Sequence, residues 1–385
     1  MSPRKVCVVV TARPSYSRIL TALQAIARHP DLELQIVVAA SALLERYGTV
    51  VRVMEEDGLE IAARVFMVIE GENPASMAKT TGLGLIELAT TFDNLRPDVV
   101  VTVGDRYETL ATATAAAYMN LPLTHVQGGE VTGSIDEKVR HATTKLADLH
   151  LVATDLARER VIRLGEDPSM VHVTGCPSID LAADVVAEEA DGFDPFERYG
   201  GLGSRLDLSD GYLVVLQHPV TTEHEEARRH ITETLHAVRD VGLPALWFWP
   251  NVDAGSDGTS KGIRVFRERE RPEQFHYFRN MTPRDFLRLL RGCTAIVGNS
   301  SVAIREGSFL GVPAVSIGNR QNGRERGPNV IDVGYDRAEI EAAIRRHRSG
   351  PRSQPSTLYG DGHAGQRIAD RLAEAELRTA KALAY

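Results

Sequence analysis

The segment "VTVGDRYETLATATAAAYMNLPLTHVQGGEVTGSIDEKVRH", residues 101–141, holds two Asp, three Glu, two His and two Arg around two apolar runs. Several carboxylates at the ends of apolar strands suit proton transfer. Crowded acids raise one another's pKa, so one can stay protonated near neutrality while another acts as a base. Asp105 also has a structural reading, as N-cap of the helix expected over "RYETLATATAAAYM", and Arg106 reads as a simple ion-pair partner. Glu130 is harder to explain structurally. It follows Gly128-Gly129, where small residues let a ligand approach the backbone. Asp136 opens the next helix, where a carboxylate gains from the helix dipole, and Ser134 and Glu137 match a capping box. His141 and Lys145 share a helix face. His125 lies within a strand and reads equally as structural or functional.

The rest of the chain shows the same placement. Short β-branched runs alternate with amphipathic helical stretches. "VCVVV", "LQIVVAA", "RVFMVI", "DVVVTVG", "LTHVQ", "LHLVAT" and "MVHVTG" are the strands of the first half. "YLVVLQHP", "ALWFWP", "FHYFRN", "AIVGN", "AVSIGN" and "NVIDVG" are those of the second. Strands apolar on both faces and separated by helices predict parallel sheets covered on both sides. The Gly-, Asp- and Pro-rich run 188–211 breaks the rhythm and reads as a linker. The expectation is an α/β protein of two Rossmann-like, doubly wound domains facing a central cleft. The N-terminal domain spans 1–187 and the second 188–364, and a C-terminal helix over 365–385 packs back on the first.

Open parallel sheets bind ligands beyond the carboxyl ends of their strands. Polar residues collect there: Arg13 and Arg18 after the first strand, Asp105 and Arg106 after "DVVVTV", and Gln127 to Glu130 after "LTHV". His218 follows "YLVVL", Asn251 follows "ALWFW", Ser300 and Ser301 follow "AIVG", and Arg320 follows "AVSIG". Arg13 and Arg18 are five residues apart, about 140° around a helix, so they share a ligand only if Arg13 belongs to the loop. Ser300 and Ser301 at a helix start suit a diphosphate, although serine there is also a routine N-cap. On a continuous helix Glu306 would lie about two turns further on, on a nearly opposite azimuth. That spacing calls for a bent entry or an extended ligand such as a nucleotide, whose ribose hydroxyls a carboxylate commonly receives.

Composition excludes several classes. The 385 residues carry a net charge of -8, which argues against a general nucleic-acid surface. No run of 18 apolar residues occurs, and the N-terminal run is too short for a signal peptide, so a cytoplasmic protein with no membrane partner is expected. Cys7, Cys176 and Cys293 have no metal spacing and read as buried free thiols. The histidines form no metal motif, and no strand carries a G-x-G-x-x-G turn. Neither a metal nor a cofactor is expected.

The ordered motifs "GDRYE", "HVQGGEVTGSIDEKVRHATTKLADLH", "GCPSID", "QHPVTTE", "PNVDAGSDG", "GNSSVAIREGSFLGVP" and "NRQNGRERGPNV" span nearly the whole chain. In them the chain resembles the UDP-N-acetylglucosamine 2-epimerases, most closely their hydrolysing branch. The resemblance implies a glycosyltransferase-B-like fold and a UDP-sugar substrate. It also implies release of UDP and N-acetylmannosamine for sialic-like acid synthesis, and a homo-oligomer, either dimer or tetramer. By motif, Asp105, Glu130 and Asp136 are the catalytic carboxylates. His218, Ser300, Ser301 and Glu306 bind UDP. Arg13 assists at the phosphates, Arg18 follows by analogy with non-hydrolysing relatives, and Arg106, Asn251 and Arg320 complete the binding set. The loop "ARPSYSR", Ala42 and Val103 depart from the family pattern near the sugar, so a UDP-diacetamido sugar is an alternative to UDP-N-acetylglucosamine. A non-hydrolysing epimerase, a glycosyltransferase and a non-catalytic UDP-sugar binder are the competing readings.

Overall fold

The computed structural model describes residues 2–44, 50–71, 73–132, 136–189, 192–250 and 255–385. Contacts divide the chain into two units. Met1–Glu130, Ile135–Leu181 and Tyr359–Tyr385 form unit 1, and Val131–Ser134 and Ala182–Leu358 form unit 2. The first sheet contains β1 (Arg4–Val10), β2 (Leu32–Ala39), β3 (Ile61–Val65), β4 (Val99–Val103), β5 (Leu123–Val126), β6 (Leu149–Val152) and β7 (Val171–Val173). The second contains β8 (Leu213–Leu216), β9 (Ala245–Phe248), β10 (Phe275–Phe278), β11 (Ala295–Gly298), β12 (Ala314–Ile317) and β13 (Val330–Val333).

Both sheets are parallel throughout, in the orders β3-β2-β1-β4-β5-β6-β7 and β10-β9-β8-β11-β12-β13. Every residue of β4, β5 and β6, and of β8 through β12, is buried. This explains their continuous Val, Ile and Leu runs, since helices cover both faces. The expected pair of doubly wound α/β domains is therefore present. Strand order reverses between β1 and β4 in unit 1, and between β8 and β11 in unit 2. Such switch points open a crevice beyond the strand ends. Arg13 and Asp105 follow β1 and β4, and His218 and Ser300 follow β8 and β11.

Three local expectations are corrected. The run "RVFMVI" is strand only to Val65, because its partner β2 ends at Ala39, opposite Val65, and Ala40 turns away with φ 50°. Phe66 then lies 70% exposed. The segment 301–311 is not one helix. A 3-10 turn at Ser301–Ala303 and a short helix at Glu306–Phe309 are separated by Arg305, whose ψ is -77°. The final helix spans Ala364–Glu374 alone. Beyond it, bonds to unit 1 outweigh helical propensity: Ala384 N–H donates to the Gly165 carbonyl at 3.1 Å and Lys381 Nζ to the Thr144 carbonyl at 3.2 Å.

The turn after β5 is tightly constrained. Gln127 has φ 67° and Gly129 φ 74°. A Cβ on Gly129 would lie 2.2 Å from the Ala157 carbonyl oxygen. Gly129→Ala should therefore destabilise unit 1 by at least about 2 kcal/mol, combining left-handed strain with a backbone clash. Urea unfolding checks this, and a wild-type midpoint would contradict the packing of this turn.

Candidate active site

At the carboxyl end of β4 the chain turns through Gly104, at φ 76°, and presents Asp105. The following helix, Thr109–Tyr118, has Glu108 at its N-cap position, without a side-chain capping bond. Asp105 is therefore not the N-cap, and its structural reading falls. Instead Asp105 meets two guanidinium groups. Arg140 NH2 donates to Oδ2, and Arg18 NH1 lies 3.6 Å from Oδ1. Arg106 donates to Glu108, at 3.3 Å.

Arg140 organises this group and was not singled out from the sequence. Its side chain is 0% exposed. NH1 donates to the Glu130 carbonyl and to Glu137 Oε2, both at 2.7 Å. Burial by itself lowers the Arg140 pKa, but the charges of Asp105, Glu130 and Glu137 carry it above its usual value. The helix Asp136–Leu146 supplies this side chain. Asp136 begins the helix one turn before Arg140, and residues four apart share a face. Asp105, Glu130 and Asp136 are thus tied to one element, the first two by contact with Arg140 and the third by helix register. Glu130 is 3% exposed. The signal for Arg140 in the sequence was its place among Val139, Thr143 and Thr144 on the buried helix face.

Ser134, the first member of the expected capping box, lies outside the described residues. Glu137 instead accepts from Arg140, and from His141 Nε2 at 2.9 Å. Arg13 is the first helical residue of Arg13–Arg28, with Ala12 as N-cap. It is not in the loop, so the condition for sharing a ligand with Arg18 is not met by backbone position. Arg18 faces Asp105 instead.

His125 proves to be a structural residue beside the site. Its Nε2 lies 2.8 Å from the Gly104 carbonyl and its Nδ1 3.1 Å from Thr144 Oγ1. A carbonyl only accepts, so Nε2 carries the proton and Nδ1 accepts from the hydroxyl. Burial pushes the imidazole down to about 3, against the smaller upward pull of the Gly104 bond. It is neutral at physiological pH and fixes the residue that precedes Asp105.

Unit 2 carries the second group. His218 is buried, and its main chain is bracketed by Asn299. His218 N–H donates to Asn299 Oδ1 at 2.7 Å, and Asn299 Nδ2 donates to the His218 carbonyl at 2.8 Å. The Asn299 carbonyl accepts from Gln321 Nε2 at 2.8 Å and Arg320 NH1 at 3.2 Å. Ser300 caps the 3-10 turn, and Ser301 Oγ accepts from Arg305 NH1 at 3.4 Å. Because the segment is broken, the azimuth calculated for Glu306 on a continuous helix does not apply. Glu306 is 7% exposed, and among the described residues its buried Oε2 has no hydrogen-bond partner. A buried acceptor left unsatisfied is costly, so this oxygen suits a ligand hydroxyl. Asn251 lies outside the described residues. The sequence reading missed Asn299 and Gln321, although both stand directly beside residues it chose.

Comparisons with known proteins find similarity along nearly the whole chain. The sequence model of the family described as UDP-N-acetylglucosamine 2-epimerase matches residues 24–373. The chain is 30% identical to a hydrolysing UDP-N,N'-diacetylbacillosamine 2-epimerase of Legionella pneumophila, over 94% of each chain. It is 27% identical to a UDP-N-acetylglucosamine 2-epimerase of Neisseria meningitidis, over 93% of this chain and 91% of that one. Among solved structures it is similar to the Methanocaldococcus jannaschii UDP-GlcNAc 2-epimerase in complex with UDP-GlcNAc and UDP. The TM-score is 0.80 at 18% identity, over 96% of this chain and 100% of that one.

His125 gives a pH test. From about 3 to its ordinary 6.5 the unfolded imidazole binds a proton that the folded one does not. Its contribution to stability is complete above the unfolded value and is lost as pH falls through this window. His125→Gln should flatten the pH dependence of stability by up to about 1.4 kcal/mol per pH unit. Urea titrations between pH 4 and 7 measure it, and an unaltered slope would show that His125 titrates in the folded protein.

Proposed function

This chain belongs to the UDP-N-acetylglucosamine 2-epimerase family, and within it we propose a hydrolysing enzyme that converts a UDP-2-acetamido sugar and water into UDP and the free 2-epimer. The observation that carries the reading is the arrangement around Arg140, which pairs with the Asp105 carboxylate while Glu130 stands beside it, nearly buried.

The roles follow from charge and burial. Removing the C2 proton requires a base, and the C1–oxygen bond breaks as its electron pair leaves with UDP. The product of that step is a 2-acetamidoglycal. Water then adds its oxygen to C1, and a proton returns to C2 from the opposite face. The two faces need two proton-handling groups, which Asp105, Glu130 and Asp136 supply. Unit 2 takes the nucleotide. Glu306 receives the ribose hydroxyls, and His218, Ser300, Ser301 and Arg320 meet the diphosphate, with Asn299 fixing the His218 backbone. Similarity to the Legionella enzyme favours a 2,4-diacetamido sugar as readily as N-acetylglucosamine.

The decisive experiment is an NMR and mass-spectrometric time course in D2O with UDP-N-acetylglucosamine and its 2,4-diacetamido counterpart. Free UDP and a 2-epimeric sugar carrying deuterium at C2 are expected with at least one of them. Asp105→Asn should lose turnover at least about a hundredfold. UDP-linked product, or an epimer without C2 deuterium, would overturn the reading. In unit 2, Glu306→Ala should weaken UDP binding by about 1.5–3 kcal/mol, read by calorimetry. Unchanged affinity would remove Glu306 from the nucleotide site.

A further inference from the structure

Unit 1 holds a second buried polar cluster that this chemistry does not use. Glu166 is 2% exposed. Its carboxylate meets Lys145 Nζ at 2.6 Å, His150 Nε2 at 3.0 Å and Lys381 Nζ at 2.5 Å. Burial pushes the Glu166 carboxyl up, and the three bonds override it and hold the group down at about 2. Lys381 comes from the non-helical C-terminal tail, residues 375–385, which also lies against Gly165 through Leu383 and Tyr385. A tail that merely ended the chain would leave its lysine in water, where an ammonium is better solvated.

The same ammonium caps a helix. Lys381 Nζ donates to the carbonyls of Thr144, at 3.2 Å, and Ala147. These stand at the C-terminal end of Asp136–Leu146, where helix carbonyls lack partners and favour a cation. From Thr144 a continuous chain of bonds leads to the catalytic loop. The Thr144 hydroxyl holds His125 Nδ1 at 3.1 Å, and His125 Nε2 holds the Gly104 carbonyl at 2.8 Å. Gly104 precedes Asp105. Arg140, on the same helix, holds the Asp105 carboxylate. Both the backbone and the side chain of Asp105 are therefore fixed through one helix whose far end the tail ties down.

We propose that the C-terminal tail, through Lys381, is a positioning element for the Asp105–Arg140 pair. The tail touches no reacting atom. It sets the register of the helix that aims Arg140 and, by way of Thr144 and His125, the turn that aims Asp105. The proposal rests on the epimerase reading for its kinetic consequence, but its structural consequence can be measured without substrate.

The test compares Lys381→Met, Lys381→Arg and Thr144→Val with an Arg378→Met control, since Arg378 on the same tail meets only the exposed Glu376 among the bonds seen for it. Displacement of catalytic groups by about 1 Å costs up to about a hundredfold in rate. Lys381→Met should therefore lower kcat roughly tenfold to a hundredfold, with KM within about twofold of wild type. Lys381→Arg should restore most of kcat, and Arg378→Met should match wild type. Thr144→Val breaks the link to His125 without removing the tail, and it should show the same loss confined to kcat, which keeps the test open if Lys381→Met folds poorly. Hydrogen exchange read by mass spectrometry should quicken in residues 136–147 and 103–106 of Lys381→Met, with unit 2 unchanged. Folded Lys381→Met with wild-type kcat, or with exchange unchanged in those two segments, would overturn the proposal. If wild-type protein turns over no UDP-2-acetamido sugar, the epimerase reading fails, and exchange alone then decides the role of the tail.

Discussion

The burial of one guanidinium organises unit 1. Arg140 is excluded from solvent, and a buried charge costs several kcal/mol unless its donors are satisfied. Asp105, the Glu130 carbonyl and Glu137 accept from its two terminal nitrogens. Each comes from a different stretch of chain, so this requirement fixes three backbones at once. β4 must end at Gly104 so that Asp105 projects beyond the sheet. The chain after β5 must double back through Gln127 and Gly129 in left-handed geometry to bring the Glu130 carbonyl round. The helix must start at Asp136 so that Arg140 falls one turn in. A buried ion pair is weak evidence for stability. Its value here is specificity, because a carboxylate met by two guanidinium groups is held in one orientation.

Unit 2 meets a similar demand with neutral groups. The side-chain amide of Asn299 brackets the His218 main chain, and Gln321 holds the Asn299 carbonyl. Amide bonds of this kind set a backbone without adding charge, which leaves the electrostatics to Arg320 and the buried Arg305. In the proposed function that economy suits a site whose ligand brings its own negative charge. Under the same proposal unit 1 handles protons, and its charges are internal to the protein.

Much of this was legible from sequence. Continuous apolar runs located the strands because both faces of a parallel sheet are covered, and the switch-point rule placed Asp105, Glu130, His218 and Ser300 at carboxyl ends. The misses share a cause. Arg140, Asn299 and Gln321 act through contacts with residues distant in sequence, and the one local mark of Arg140, its place beside Val139, Thr143 and Thr144 on the helix, does not by itself tell what it pairs with. The supposed helix over 301–311 failed because its pattern does not reveal the break at Arg305. The long C-terminal helix failed because bonds from Lys381 and Ala384 to residues more than two hundred positions away outweigh the preference of "EAELRTAKALA".

The sequence by itself determined the two parallel sheets, the acids and hydroxyls at their carboxyl ends, and the family to which those motifs belong. Periodicity, glycine placement and residue type are local properties, and they suffice for these conclusions. Only the tertiary structure decided that Asp105 is an ion-paired group rather than a helix cap, and that His125 is a neutral strut. It alone showed that among the described residues Glu306 keeps a buried oxygen unpartnered, and that Lys381 of the C-terminal tail bonds the helix bearing Arg140. Each of those depends on which atoms surround a charge or a hydrogen-bonding group. Desolvation and pairing, which set the state of such groups, arise only when distant segments pack together.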